Sequence, residues 1–263
     1  MNKIEKVINK EIDPTTLRFG LSTLHAWIRF FEYFLHVSYR LDIKKWQVRG
    51  EDKGKFLSRK KMIQEKFKTI MGLKVDYVRS GGEGTSNDGN TSRRFFDDPS
   101  IAAEITGIKE SLIIRCATIL KAMSSGYEIN KKIFSEYAIE TAKLLVKEYP
   151  WYYMPASVHK ILLHGSSVIS AALLPIGQMS EEAQEARNKD LKNIRENYTR
   201  KCSRIKTNVD LLHGLLVSSD PLISSLRKLP SKKMSSFSTE VLQLLTAIEP
   251  TYDLAENSSS DEN

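Results

Sequence analysis

The strongest apolar signal in the chain is aromatic. Trp27, Phe30, Phe31 and Phe34 fall in one stretch that reads as a helix, capped by Ser22 and running to about Trp46. Rings this dense project from more than one side, so the segment predicts a helix at the centre of the fold. A polar stripe runs through it at spacings of 4, 3, 4 and 4: His25, Arg29, Glu32, His36 and Arg40. Charged groups on a helix built for a core must find partners. The stripe is therefore read first as a buried hydrogen-bonded ladder. A secondary polar ligand site at His25, Arg29 and Glu32 is the other reading.

Downstream, the same periodicity predicts a helix over 56–71 with a basic face that includes Arg59 and Lys60, closed by Gly72. Asp98 and Pro99 supply an N-cap and a first-turn proline, and helices are expected near 99–105, 109–124 and 130–148. Pro155 opens another helix, and Ser180 a further one. No segment alternates well enough to read as a strand. The expected class is mainly α, a bundle-like helical array.

Composition adds a partner and a compartment. With 263 residues and 41% hydrophobic content, the chain can bury a sizeable core. A net charge of +8 and a pI near 9.3 point to a polyanionic partner, with nucleic acid the commonest. Cys116 and Cys202 lie far apart and form no C-x-x-C, which argues for a reducing compartment. The N-terminus shows no apolar signal segment, and no apolar run reaches the roughly 18 residues of a membrane span. No membrane partner is expected.

The chemistry concentrates between Met154 and Lys206. His159 and His164 are five apart, about 140° around a helix, poorer than the i,i+4 spacing of two ligands on one face. Zinc binding and ordinary core or surface histidines both remain open. Glu181, Glu182 and Glu185 follow at the expected helix start, where the dipole favours acids. Glu181 and Glu185 share a face and repel unless a cation sits nearby, and a divalent metal could supply it. From Arg187 to Lys206, eight cations against two acids leave a net of 8 − 2 = +6. This run, with Arg187, Lys189, Lys192 and Arg195 leading it, reads as one phosphate-contacting helix. Upstream, the Gly/Ser/Asn-rich loop at 79–92 lacks the spacing of a nucleotide-phosphate cradle. Arg93 and Arg94 just after it could meet a DNA phosphate.

Four of these passages, in order, resemble the C-terminal catalytic region of Transib-type transposases and their relative, the catalytic subunit of the V(D)J recombinase. They are Leu24-His25; the basic helix 58–71 followed by Asn87-Asp-Gly-Asn and Arg93-Arg94; His159-Lys-x-Leu-x-His164; and Ile176-Gly177 followed by Ser180-Glu181-x-x-x-Glu185-x-x-Asn188-Lys189. The resemblance spans about residues 22–206. It implies the zinc-binding helical insertion and glutamate helix of an RNase H-like DDE enzyme, with most of the β-sheet lacking. It implies Glu185 as the catalytic glutamate, binding Mg2+ or Mn2+ with two aspartates. It implies His159 and His164 as zinc ligands alongside a C-x-x-C pair.

The family's two aspartates and its C-x-x-C precede the region resembled, and residues 1–21 do not contain them. The chain is thus expected to be catalytically incomplete alone, DNA-binding and nuclear, pairing with a second copy or with an upstream half of the same transposase. The expected organisation is a lead-in at 1–21, a transposase-like region at 22–217, a helical extension at 218–256 and a disordered acidic tail at 257–263. The alternative is a non-catalytic helical DNA-binding or protein-interaction protein.

Overall fold

The aromatic helix is indeed central. In a computed structural model, which describes residues 21–78, 84–226 and 237–246, α1 spans Thr23–Ser38 and is capped by Ser22, whose hydroxyl accepts from the His25 amide. Residues 1–20 of the expected lead-in, the tip of the 79–92 loop, residues 227–236 and 247–256 of the helical extension and the acidic tail lie outside the described residues. Phe30, Phe31 and Phe34 are fully buried because α1 packs against α3 (Gly89–Asp97), α4 (Pro99–Thr106), α5 (Glu110–Ser124) and α7 (Ala156–Ala171). The basic helix α2 (Asp52–Met71) contributes only Ile63 and Phe67 to this core, and Gly72 ends it in a left-handed conformation as expected. Phe31 meets Phe67 at 6.4 Å and Phe95 at 5.1 Å between ring centroids, so one aromatic cluster joins three helices.

Two features of α1 differ from the expectation. The helix stops at Ser38, short of Trp46, although apolar residues continue at Leu41 and Ile43. The stop comes from Arg40, which folds back to donate to the His36 carbonyl at 2.8 Å and to the Trp46 carbonyl at 3.2 Å. A cation that satisfies the last carbonyls ends a helix without glycine or proline. The polar stripe is also not a buried ladder. His25, Arg29 and His36 are exposed and Glu32 and Arg40 half-buried, so it is the one solvent-facing strip of an otherwise enclosed helix.

α6 (Lys131–Glu148) and α7 form the most extensive helix pair, and α7 leads into a 3-10 turn at Ile176–Met179. That turn lies against the end of α5. A Cβ on Gly177 would stand 2.5 Å from the Gly126 backbone nitrogen, so the Ile176-Gly177 pair is a packing requirement. The chain then leaves the core as α8 (Glu182–Asn197), α9 (Arg204–Ser219) and the short α10 (Pro221–Ser225). The single basic helix expected over 187–206 is therefore two helices folded on each other. Ser203 caps the second, and Asp210 accepts from the Arg200 backbone at 2.8 Å and from its guanidinium at 2.7 and 3.0 Å, which fixes the turn between them. α11 (Thr239–Leu244) returns to the core beside α5 and α6, burying Val241 and Leu244. Among the described residues there is no strand, only isolated bridges at Val78–Thr85 and Ile129–Leu245. No single described helix is long and apolar enough to cross a membrane.

Candidate active-site cleft

Three of the passages singled out in the sequence meet at one open cleft of about 720 Å³. The start of α1 brings Leu24, His25, Arg29 and Glu32; the start of α3 brings Asp88 to Asn90 and Arg93; the start of α8 brings Glu182, Glu185 and Lys189. α1 and α3 approach closely at Gly89, where a Cβ would stand 2.5 Å from Leu24 Cδ1 and would displace the end of that side chain. Asp88 caps α3 by accepting from the Thr91 amide at 2.8 Å. Asn87 and Asp76 bind each other twice, at 2.6 and 2.9 Å, and so hold the segment before that cap.

α8 reaches this cleft through polar contacts. Ser180, the expected N-cap, sits one residue before the helix's own cap position at Glu181 and joins the two elements. Its hydroxyl accepts from Thr23 Oγ1 at 3.2 Å and from the Glu182 amide at 3.3 Å. The Glu181 carboxylate accepts from Ser22 Oγ at 2.9 Å and, with the proton on Nδ1, from His25 at 3.1 Å. Glu182 pairs with Arg93, whose guanidinium also lies 5.6 Å from the Trp27 ring centroid. Two of the three acids at this helix start are thus engaged by side chains of the protein itself, Glu181 by Ser22 and His25 and Glu182 by Arg93. Sequence reasoning missed Ser22, Thr23 and Glu181 as members of this junction. Their partners are 156 to 159 residues away, and no local spacing marks them.

The Ser22–His25–Glu181 cluster is not a nucleophilic triad. Ser22 and Glu181 both engage Nδ1, whereas general-base activation needs the hydroxyl on Nε2 and the acid on Nδ1. Glu185 is exposed on the cleft wall.

The two histidines of α7 come closer than their spacing suggested. Their ring centroids are 5.1 Å apart, and the helix runs on past Gly165 to Ala171 without ending at the pair. Burial holds His159 below the usual imidazole value; burial and then the neighbouring His159 do the same to His164, so both favour the neutral form that ligates metal. Among the described residues, however, no group of three or more His, Cys, Asp and Glu is placed to hold a metal ion. Cys116 is enclosed in the core and its thiol is pushed far up by burial, while Cys202 is exposed in the turn after α8. The described residues therefore fit neither a complete zinc site nor a two-metal site.

The predicted DNA-contacting cations divide sharply. Arg59 is a strut: its guanidinium donates to the Ser38 and Thr106 carbonyls and pairs with Asp42 at 2.9 Å. Lys60 lies 3.5 Å from Asp76 and over the Tyr39 ring. Arg94 closes α2 by donating to the Met71 carbonyl, Arg93 is the α3–α8 tether, and Arg187 donates to the Leu215 carbonyl and to Ser219 on α9. A charge pattern cannot separate such anchors from free cations. Lys192 is exposed and only loosely paired with Glu196 at 4.0 Å. Lys189 and Arg195 are exposed, and no side-chain pairing fixes them among the described residues.

Comparison with protein-family models and with curated proteins returns no match.

Proposed function

We propose that this chain is the C-terminal, DNA-engaging part of a Transib-type transposase, incomplete as a nuclease by itself and working in the nucleus. Glu185 is its one catalytic carboxylate, and Lys189, Lys192 and Arg195 are its phosphate contacts. The observation that carries this reading is the convergence of the Leu24-His25, Asn87–Arg93 and Ser180–Lys189 passages on one open cleft. The exposed cations one to three turns beyond Glu185 lie where a duplex laid along α8 would present its backbone.

In this reading Glu185 would contribute one carboxylate to a divalent-metal site only if two aspartates were supplied from outside residues 1–263. His159 and His164 would supply two ligands to a zinc site only if the others were supplied in the same way. The residues of the chain itself position: His25 and Arg93 hold the N-terminus of α8 against the body, so that Glu185 faces the cleft.

A nicking assay on supercoiled DNA with Mn2+ tests the assignment. The isolated chain should bind duplex DNA without nicking it. Nicking that persists in Glu185→Gln would contradict the role given to Glu185.

A further inference from the structure

At the far end of α1 from the cleft stands a second surface. From Leu24 to Ser38 the helix advances by about 21 Å, and Arg40 follows in the turn beyond it. There Trp46 packs against Tyr152 at 4.7 Å and against Tyr153 at 5.1 Å between centroids, the latter nearly edge-to-face at 72°. Tyr152 is the buried floor of this group, whereas Trp46 is 40% and Tyr153 69% exposed. Arg40 lies beneath, 5.5 Å from the Tyr152 centroid, and its bond to the Trp46 carbonyl fixes the loop that carries the indole. Isolated exposed aromatics are ordinary, but two held in contact on a rigid base are a prepared surface. The surrounding segment 40–55 holds six cations and three acids, a net of 6 − 3 = +3.

We propose that Trp46 and Tyr153 form a stacking platform for unpaired bases of single-stranded DNA. Every base has a π-face, so stacking tolerates any sequence, while nearby cations track the phosphates. The edge-to-face pair leaves ring surface open, and the basic segment supplies the complementary charge. A protein partner would use the same aromatics, but the net positive charge of the loop favours a polyanion. The proposal rests on the DNA-binding reading above and extends it to an unpaired strand held at the opposite end of α1 from the cleft.

The test is fluorescence anisotropy with a labelled oligothymidylate of about twelve nucleotides and a duplex of the same length. Trp46→Ala and Tyr153→Ala should each weaken single-strand binding by roughly tenfold or more, and Trp46→Phe should retain most of it. Duplex binding should change by less than about twofold in all three, with far-UV melting curves confirming the fold. Unchanged single-strand affinity in both alanine variants, with duplex binding intact, overturns the platform and leaves the DNA reading standing. Wild-type chain that binds neither probe overturns both. Alanine variants that change only the sedimentation of the chain make the surface a protein interface, which also overturns the platform.

Discussion

Ten of the sixteen residues of α1 are buried, whereas none of the sixteen residues of α9 is. The body is held by aromatic packing around Phe30, Phe31, Phe34, Phe67, Phe95 and Phe96, each fully enclosed. The α8–α9 arm is held by directed polar contacts: Arg187 to the α9 backbone, Arg200 to Asp210, and the Glu181 and Glu182 tethers to α1 and α3. A buried phenylalanine contributes about 1.5–3 kcal/mol, while an exposed ion pair contributes about 0–1 kcal/mol. The arm therefore opens locally at a lower cost than the body unfolds. It also carries Glu185 and the free cations, so the region proposed to meet DNA is the one least constrained by the core.

The sharpest way to break this contrast is to delete one large side chain from each region. Phe34→Ala should lower unfolding free energy by about 3–5 kcal/mol in a denaturant titration, because its fully buried ring meets Phe95, Phe96 and Tyr33 and its loss leaves an apolar void. Leu212→Ala, 55% exposed on α9, should stay within about 0.5 kcal/mol. Comparable losses would mean the arm is packed as the body is.

A smaller effect separates tether from core. Arg93→Ala removes the partner of Glu182 and the cation beside Trp27, yet global stability should fall by no more than about 1 kcal/mol. Amide exchange along α8 should nevertheless quicken, and that along α1 should not. Equal protection in variant and wild type would mean that the remaining contacts hold the arm alone.

The smallest effect is on pH. His159 and His164 titrate below 6.5 in the folded chain, mainly through burial, so below that pH the unfolded chain binds more protons. Their contribution to stability is full above pH 6.5 and is lost as pH falls toward their folded values. A thermal-melt series should slope downward on acidification, and His159→Gln with His164→Gln should flatten it. A slope untouched by both changes would place its source elsewhere.

The body was legible in the sequence because aromatic periodicity, Ser22, Asp98-Pro99 and Gly72 are local signals with local causes. The stop after Ser38 was not, because Arg40 ends the helix through a side chain that reaches its own carbonyls. The break in the basic run was hidden for a related reason: Arg200 and Asp210 are ten residues apart, and nothing in the spacing says they clasp. In the cleft, Glu185 and Lys189 could be marked from charge pattern and resemblance. The His25–Glu181 and Arg93–Glu182 pairs form only when the ends of α1, α3 and α8 converge, so they belong to tertiary structure. Arg59 shows the cost of reading charge alone, since a half-buried strut and a free phosphate contact look alike in sequence.

The central claim is that the exposed cations of α8 contact phosphates, and the salt dependence of duplex binding tests it most directly. The logarithm of affinity should fall linearly with the logarithm of salt concentration. Replacing Lys189, Lys192 and Arg195 together by alanine should reduce that slope by about 2–3, close to one unit for each phosphate no longer neutralised. A slope that the triple variant leaves unchanged, or wild-type binding insensitive to salt, would contradict the account.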